Sequence, residues 1–355
     1  MLATAQAMAG GLERIAPNTG VLFQQGRYLE LSFATVAPEL EGRGGLLDPL
    51  NAGTGDILGS YNLFGFAYKD DIDEDWFYSL VLDQPWGVQT VYPVLPTSGY
   101  SGTTAILNSD AFSGILGARL TERVSAYGGL RLQSINAEAA FPFGGALGLA
   151  GPYNVVAEAD EGVGYLFGMA YECPDIAFRL AATYYSEIQH SHRTVETVGA
   201  ISSNTQTAYA TPQAINLEFQ SGIAEDTLAF GSVRWVDWSS FAISPPIFTT
   251  GVGVPLVDFA EDWTTYTLGV GRKLCDFFSL AAICTYEPAT NTQLTTLGPV
   301  DGRFSYGLAP SFTFRDVKVT LGVTRVELGR ASNFANTQFD DGSAVAVGMR
   351  IGMQL

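Results

Sequence analysis

The sequence predicts an all-β fold: a transmembrane, antiparallel, up-and-down β-barrel of 14 strands with a short N-terminal plug. Three observations lead to this prediction. Apolar and polar residues alternate through many segments of the chain. The length of these segments matches the length of about 9–11 residues that a tilted strand needs to cross a bilayer. The connections between them alternate between short and long.

The composition fits a barrel better than a helical membrane protein. Charged residues make up 15% and aromatic residues 12% of the 355 residues, and Gly occurs 40 times. The longest uncharged apolar run, residues 139–157, contains Pro142, Pro152 and several Gly, so no segment qualifies as a spanning helix. Acidic residues outnumber basic residues by 36 to 18, which argues against nucleic acid as a partner.

The beginning of the chain divides into two short parts. Met1–Gly10 is small and apolar, and Ala7-Met8-Ala9 offers a small-x-small cleavage site. We expect residues 1–9 to be the remnant of an export signal peptide, although the usual basic stretch is missing and a chance match is the alternative. Residues 10–25 are then a short hatch or plug, and residues 26–355 form a single barrel.

The period-2 alternation defines the strands and is clearest at the end of the chain. Every second residue from Val345 to Leu355 is apolar, and the residues between them are small or polar. A soluble β-sandwich would also alternate, so segment length and spacing decide between the two. The predicted strands are 26–37, 57–69, 75–89, 104–120, 123–138, 162–173, 176–188, 212–222, 226–240, 261–275, 277–287, 302–314, 317–328 and 344–355.

The connections favour an outer-membrane barrel over a sandwich. Every second connection is short, and long connections follow each odd-numbered strand, which is typical of barrels with short periplasmic turns and long outer loops. Closing the sheet removes the unpaired edges that lipid cannot satisfy. A barrel of this width is not filled by its wall alone, and Arg131, Arg179 and Arg303 are expected to line the lumen.

No arrangement of residues predicts an enzyme. The only two histidines, His190 and His192, fall in a predicted outer loop without a Cys or carboxylate cluster at ligand spacing, so no metal site is predicted. The chain contains no Gly-x-Ser-x-Gly elbow. The acidic run 71–75 suggests a calcium loop, but Trp76 stands where that loop needs Gly. We therefore expect no catalytic residue and no cofactor.

The third strand contains a break. Alternation runs to Asp83 and is then interrupted by Gln84, Pro85, Trp86 and Gly87. Pro85 has no N–H for the ladder, and Gly87 permits a bend. One interpretation is that the strand ends here; the other is that it kinks inward and leaves a gap beside its neighbour. Unpaired backbone is costly in lipid, so a gap is expected to face the lumen or the headgroups.

An apolar segment is predicted to lie in an outer loop. Residues 139–157 include Phe141, Phe143, Leu147 and Tyr153. Exposed apolar surface of this kind usually marks binding, so these side chains are predicted to contact a hydrophobic solute first, together with the loop 189–211. The alternative is that they pack against one another as a cap.

The order of several short blocks carries a family resemblance. They are Gly26-Arg27-Tyr28 through Pro38 to Gly42, Asp83-Gln84-Pro85-Trp86-Gly87, Tyr184-Tyr185-Ser186-Glu187-Ile188, Trp235 with Trp238-Ser239-Ser240-Phe241, and Tyr286-Glu287-Pro288. From Asn18 to Leu355 the chain resembles the long-chain fatty acid transporter family (FadL/TodX type). The resemblance implies a monomeric outer-membrane barrel of 14 strands with an N-terminal hatch.

The resemblance also implies a transport route in the bacterial outer membrane. Hydrophobic small molecules, either long-chain fatty acids or hydrocarbons, would be captured by outer loops, enter a lumen pocket and leave sideways at the kink of strand three. The barrel would contact outer-membrane lipid and lipopolysaccharide. In addition to the loop residues above, Arg131, Arg179, Tyr185 and Arg303 are the candidate substrate contacts in the lumen.

Two departures from the family pattern matter. The N-terminal segment is shorter than the family's hatch and lacks its Asn-Pro-Ala element. Basic residues that meet a fatty acid carboxylate in family members fall near 140–141 and 291–292, where this chain has none. A general water-filled porin and a structural or adhesive outer-membrane barrel remain the alternative functions.

Overall fold

The computed structural model describes residues 11–355, and the expected signal remnant at residues 1–9 lies outside the described residues. The chain forms a closed antiparallel barrel of 14 strands, which confirms the predicted fold. The strands are β1 (Tyr28–Arg43), β2 (Tyr61–Asp71), β3a (Trp76–Asp83) with β3b (Gly87–Val91), β4 (Thr104–Arg119), β5 (Val124–Phe141), β6 (Tyr153–Cys173), β7a (Phe178–Tyr185) with β7b (Ile188–Val198), β8a (Ile201–Thr211) with β8b (Ala214–Ala224), β9 (Thr227–Val236), β10 (Trp263–Cys275), β11 (Phe278–Glu287), β12 (Arg303–Phe314), β13 (Val317–Leu328) and β14 (Gln338–Gln354).

Each strand pairs with its neighbours in sequence, and β1 pairs with β14 to close the wall. In this seam Tyr28 lies opposite Gln354 and Ala34 lies opposite Gly348. Strands β3, β7 and β8 each contain a short break, so β6 pairs with both segments of β7. Because every strand has two partners over most of its length, few backbone groups in the wall lack a ladder bond.

The two ends of the barrel differ as the connection lengths predict. At one end, here called the turn end, the connections are only a few residues long: 72–75, 120–123, 174–177, 225–226, 276–277 and 315–316. At the other, the loop end, the connections are longer, except for the turn 199–200 between β7b and β8a. They contain the 3-10 helices Gly144–Leu147 and Trp238–Ser240, the α-helix Pro246–Val252 and the short strands Ala242–Ile243, Val257–Asp258, Gln293–Leu294 and Ala331–Asn333. None of the helices within residues 11–355 is long and apolar enough to cross a membrane.

The outer surface carries an apolar band, and the inner surface is polar. On β6 the outward side chains from Val163 to Tyr171 are all apolar or aromatic and exposed. Inward positions hold buried charged residues: Glu30, Lys69, Arg131, Arg179, Glu218, Arg234, Glu287 and Arg303. Most outward residues of β7b, including Gln189, Ser191 and Arg193, are polar, and Val195 is the apolar exception, so the β7b–β8a hairpin extends beyond the band at the loop end.

Two predicted loops are strands in the structure. The segment 189–211 is not a loop: it forms the β7b–β8a hairpin, with His190 and His192 buried on its inner face. The segment 139–157 is only partly a loop, because β5 extends to Phe141 and β6 begins at Tyr153. Most side chains on both faces of the hairpin are polar, and inward hydroxyls such as Thr194 and Thr207 bond to each other at 3.0 Å. This hairpin therefore lacks the apolar alternation from which the other strands were predicted.

Candidate functional site

The wall is interrupted between β2 and β3. Ladder pairing of these strands ends at Phe66 and Leu82 and resumes at the bridge between Leu58 and Thr90. On its other edge, β3 stays paired with β4, because Asp83 lies opposite Ala111 and the strand resumes at Gly87. The interruption therefore lies within strand β3 and does not mark its end.

Side chains fill the interrupted stretch. The Gln84 side chain accepts a hydrogen bond from the Phe64 backbone N–H at 2.9 Å and donates one to Asp110 at 2.9 Å. Asp83 turns inward and forms an ion pair with Arg131, and both side chains are buried. The two residues after Gln84, Pro85 and Trp86, are both buried. The chain therefore dips toward the lumen at this point.

The N-terminal segment docks on the same break. The backbone N–H of Arg14 donates to the Pro85 carbonyl oxygen at 2.7 Å, and the N–H of Gly87 donates to the Leu12 carbonyl oxygen at 2.7 Å. Glu13 forms an isolated β-bridge with Trp86. At the break, the Pro85 carbonyl oxygen and the Gly87 N–H are thus bonded to plug residues inside the barrel, whereas the N–H and carbonyl oxygen of Trp86 bond to the Ser109 hydroxyl at 2.8 Å.

The rest of this segment, residues 15–25, also lies in the lumen. The Thr19 hydroxyl donates to Glu218 at 2.7 Å, and the Asn18 amide donates to Glu30 at 2.7 Å. The guanidinium of Arg179 lies 4.2 Å from the centre of the Phe23 ring. The described part of the expected plug therefore occupies the barrel interior, while its gating role stays a prediction.

A cavity of about 120 Å³ lies beside the break. Its inner lining includes Ala34 and Arg234, and its outer lining includes Phe33, Phe64 and Leu82. Phe33 and Phe64 are exposed on the outside of the wall, with their ring centres 5.2 Å apart. The lining of the cavity thus includes residues of both faces of the wall next to the break.

A second, apolar pocket of about 50 Å³ lies toward the loop end. The plug residue Leu12 and the strand residue Val88 both line it, which joins it to the break. Among the described residues, no Lys or Arg lines this pocket. Its apolar lining includes Ala105, Leu107, Ala139, Val155, Tyr209, Ile243, Val257 and Leu297.

The interior toward the turn end is charged and wide. A vestibule of about 680 Å³ is lined by Lys273, Lys318 and Arg350, among others. Arg350 and Glu30 form an ion pair of 3.5 Å at its wall. The interior thus changes from apolar near the loop end to ionic near the turn end.

The predicted loop contacts pack against one another. The Phe141 ring centre lies 5.5 Å from that of Phe143 and 5.8 Å from that of Phe248, and Tyr153 lies 5.1 Å from Phe248. Phe141 and Tyr153 are buried, and Leu147 packs against the same core. This is the geometry of a self-packed cap, and contact with a solute stays a prediction for these residues.

The four predicted lumen contacts do not converge on one site. Arg131 pairs with Asp83, Arg179 lies on Phe23, and Tyr185 lies 5.7 Å below the guanidinium of Arg234. Arg303 is buried beside Glu287, with 3.9 Å between Nε and the nearer oxygen. These four residues therefore lie at separate positions along the wall and form no common site.

The plug residues that meet the break were not predicted from the sequence. Leu12, Glu13 and Arg14 supply its backbone and ionic contacts, and Arg234 in β9 pairs with Glu13 at 2.6 Å. A signal was present, because Glu13 and Arg14 are the only charged residues of the predicted plug, residues 10–25. A charged pair expected to lie in a barrel lumen needs partners there.

No family model and no curated protein matches the sequence of the chain. Solved structures share its fold. A FadL homologue from Pseudomonas aeruginosa aligns with a TM-score of 0.79 at 11% identity, covering 94% of this chain and 91% of that chain. The toluene transporter TodX of Pseudomonas putida aligns with a TM-score of 0.70 at 14% identity, covering 96% and 92%. The monoaromatic hydrocarbon channel CymD gives 0.63 at 13% identity, covering 94% and 90%. The fold that the family resemblance implies is therefore confirmed.

Proposed function

We propose that this protein is a monomeric channel of the FadL/TodX type in the bacterial outer membrane and takes up hydrophobic small molecules passively. The apolar band is the lipid-facing surface, the turn end faces the periplasm and the loop end faces outside. Solute enters at the loop end, occupies the apolar pocket and leaves sideways into the membrane through the break in β3. The observation that supports this proposal best is the cavity beside the interrupted pairing of β2 and β3, which is lined by residues of both faces of the wall.

The polarity of the interior supports sideways exit. An apolar molecule that continued toward the turn end would enter a vestibule lined by Lys273, Lys318 and Arg350. Exposing the apolar surface of the solute to water in this ionic space costs a free energy of about 25 cal/mol per Å². Exit toward the turn end is therefore unfavourable. The outer face of the break, with Phe33 and Phe64, offers apolar surroundings at once.

The apolar pocket favours an uncharged solute. A fatty acid anion buried without a cationic partner pays the desolvation cost of its carboxylate. No Lys or Arg is among the residues that line the pocket, within the described part of the chain. We therefore assign hydrocarbons as the preferred class over long-chain fatty acids. No chemical step is part of the proposal.

A substitution that fills the cavity tests this proposal. Ala34 lines it from β1, and Ala34→Trp places an indole in a space of about 120 Å³. Uptake of radiolabelled toluene by intact cells is expected to fall to that of cells without the protein. The control is Val347→Trp, on the neighbouring strand β14 but on the exposed outer face. Heat-modifiable mobility on gels checks that both variants assemble.

The competing functions give different outcomes. A water-filled porin would show high ion conductance in a planar bilayer and no dependence on Ala34, whereas the plugged lumen predicts low conductance. A structural or adhesive barrel would give no toluene uptake above background even in the wild type. Uptake of oleate at the same rate as toluene would overturn the assignment of hydrocarbons as the preferred class.

A further inference from the structure

The β7b–β8a hairpin places both histidines beside a carboxylate. Residues i and i+2 of a strand face the same side, so His190 and His192 both point into the barrel, where they are buried. Asp160 approaches from β6, 30 residues away in the chain. One ligand atom from each of these three residues lies within 4.8 Å of the other two. No metal site was predicted from the sequence, because Asp160 is 30 residues from His190 and the histidine pair has no Cys or carboxylate cluster at ligand spacing.

We propose that Asp160, His190 and His192 bind a divalent transition-metal ion of the Zn²⁺ class. Two imidazole nitrogens and one carboxylate oxygen form a donor set that suits this class of ion. Zinc–ligand distances of about 2.0–2.1 Å put the ligand atoms of a tetrahedral site about 3.4 Å apart. The three ligand atoms are already close enough that side-chain rotation can bring them to that spacing.

The remaining ring nitrogens are oriented by outer partners. His190 Nδ1 faces Asp160 and His192 Nδ1 faces the Glu158 carbonyl oxygen, so both Nδ1 atoms point toward β6. The Nε2 atoms point away, to Gln133 Oε1 at 3.1 Å and to the Tyr209 hydroxyl at 2.9 Å. Metal-binding histidines almost always bond their second nitrogen to an oxygen in this way. Both Nδ1 atoms can therefore serve the ion while Nε2 keeps its partner.

The site lies on an interrupted seam of the wall. The ladder between β6 and β7a ends at Leu166 and Tyr185, and that between β6 and β7b begins only at Ala157 and Thr194. Between them, Asp160 accepts a hydrogen bond from the Ser191 N–H at 2.9 Å. An ion held by β6 and β7b would cross-link the two strands where their backbone pairing is missing.

The surrounding charges favour a cation. Glu158 and Glu161 flank Asp160 on β6, and both are exposed. Arg193, the cation next to the histidines in the chain, points outward. His192 also lines the apolar pocket, whereas Asp160 and His190 do not, so the ion would lie on the β6 side of His192 and outside the lining of the pocket.

The test is zinc binding by the full-length protein in detergent, without a polyhistidine tag. Equilibrium dialysis is expected to give one tightly bound Zn²⁺ per chain. Asp160→Asn keeps the size of the side chain and is expected to weaken binding by more than about tenfold, the loss that even an outer-shell change produces. The matched control, Glu161→Gln, alters a neighbouring exposed carboxylate and is expected to bind as the wild type does.

Further measurements remove the remaining ambiguities. His192→Gln is the second ligand variant, and only variants with the gel mobility of the assembled barrel are compared. Replacing Cys173, Cys275 and Cys284 with Ser is expected to leave binding intact, and Co²⁺ in place of Zn²⁺ is expected to show no thiolate charge-transfer band. Absence of binding by the wild type, equal binding by Asp160→Asn, or loss of binding with the cysteines would each overturn the proposal.

Discussion

Glu13 in the plug and Arg234 in β9 form an ion pair inside the barrel, with 2.6 Å between Arg234 Nη2 and a Glu13 carboxylate oxygen. Both side chains are almost wholly buried. The ion pair ties the plug to β9, across the lumen from the break in β3. The backbone of the neighbouring residues 12 and 14 is bonded to the break itself. Removing one charge of a buried pair leaves the other uncompensated, which costs about 3–5 kcal/mol.

Glu13→Gln is therefore expected to loosen the plug. A cost of about 3 kcal/mol corresponds to roughly a hundredfold change in an opening equilibrium. The Gly87 amide, which donates to Leu12, is expected to exchange its hydrogen about that much faster. Hydrogen exchange read by mass spectrometry checks this, with the exposed Glu39→Gln as the control. Equal exchange in the two variants would show that the ion pair does not hold the plug.

Gly87→Ala is expected to displace Arg14. A Cβ at position 87 would collide with the Arg14 guanidinium and its neighbouring carbon. Arg14 now bonds to Asn108 and covers the Tyr61 ring, so its displacement exposes the peptide bond that follows it.

Limited trypsin digestion measures that exposure. Cleavage after Arg14 is expected in Gly87→Ala and not in the wild type. Gly114→Ala is the matched control, because a Cβ there meets nothing within 4 Å. Protection of Arg14 in both variants would contradict the prediction.

Asp83→Asn is expected to destabilise the barrel by about 3 kcal/mol, because Arg131 would lose its buried partner. Denaturant unfolding of the protein in lipid vesicles measures the free energy of unfolding. Asp75→Asn, in the exposed turn between β2 and β3a, is expected to change it by less than about 0.5 kcal/mol. Similar effects of the two substitutions would indicate that the Asp83–Arg131 pair adds no stability.

The loop after β1 is expected to loosen in acid. Burial alone would raise the pKa of Asp48, but hydrogen bonds from the backbone N–H groups of Gly44, Gly53 and Ala52 outweigh it, and the pKa is lowered. The resulting stabilisation is complete above the unfolded pKa of about 3.9 and is lost as the pH falls through the lower folded value.

Proteolysis by pepsin between pH 2 and about 5 checks this dependence. The wild-type loop is expected to become cleavable toward the acidic end of that range. Asp48→Asn cannot titrate and is expected to show no such transition. A transition of the same size in Asp48→Asn would assign it to another group.

The fold was predictable because period-2 alternation is a local property of each strand. The alternation from Val345 to Leu355 is enough to predict β14, whose outward side chains are apolar and whose inward side chains are small or polar. The β7b–β8a hairpin could not be found in this way, because hydroxyl and imidazole side chains on its inner face satisfy one another. Buried polar pairs leave no apolar periodicity in the sequence.

The candidate site was predictable only in part. Pro85 and Gly87 mark the break by their own backbone restrictions, without reference to any partner. The partners of the break, Leu12 and Arg14, depend on where a distant segment crosses the lumen. Likewise, the proximity of Asp160 to His190 results from the register of β6 against β7b and has no local signal.

The Gln84 side chain has a mechanical consequence. Its amide bonds to the Phe64 backbone and to the Asp110 side chain, so between β2 and β3 the break is bridged by the side chain of one half-buried glutamine. Breaking these two bonds requires side-chain rotation, whereas separating a hydrogen-bonded ladder would unfold part of the barrel wall. Under the proposed lateral exit, the wall would widen at this point without unpairing the strands on either side of the break.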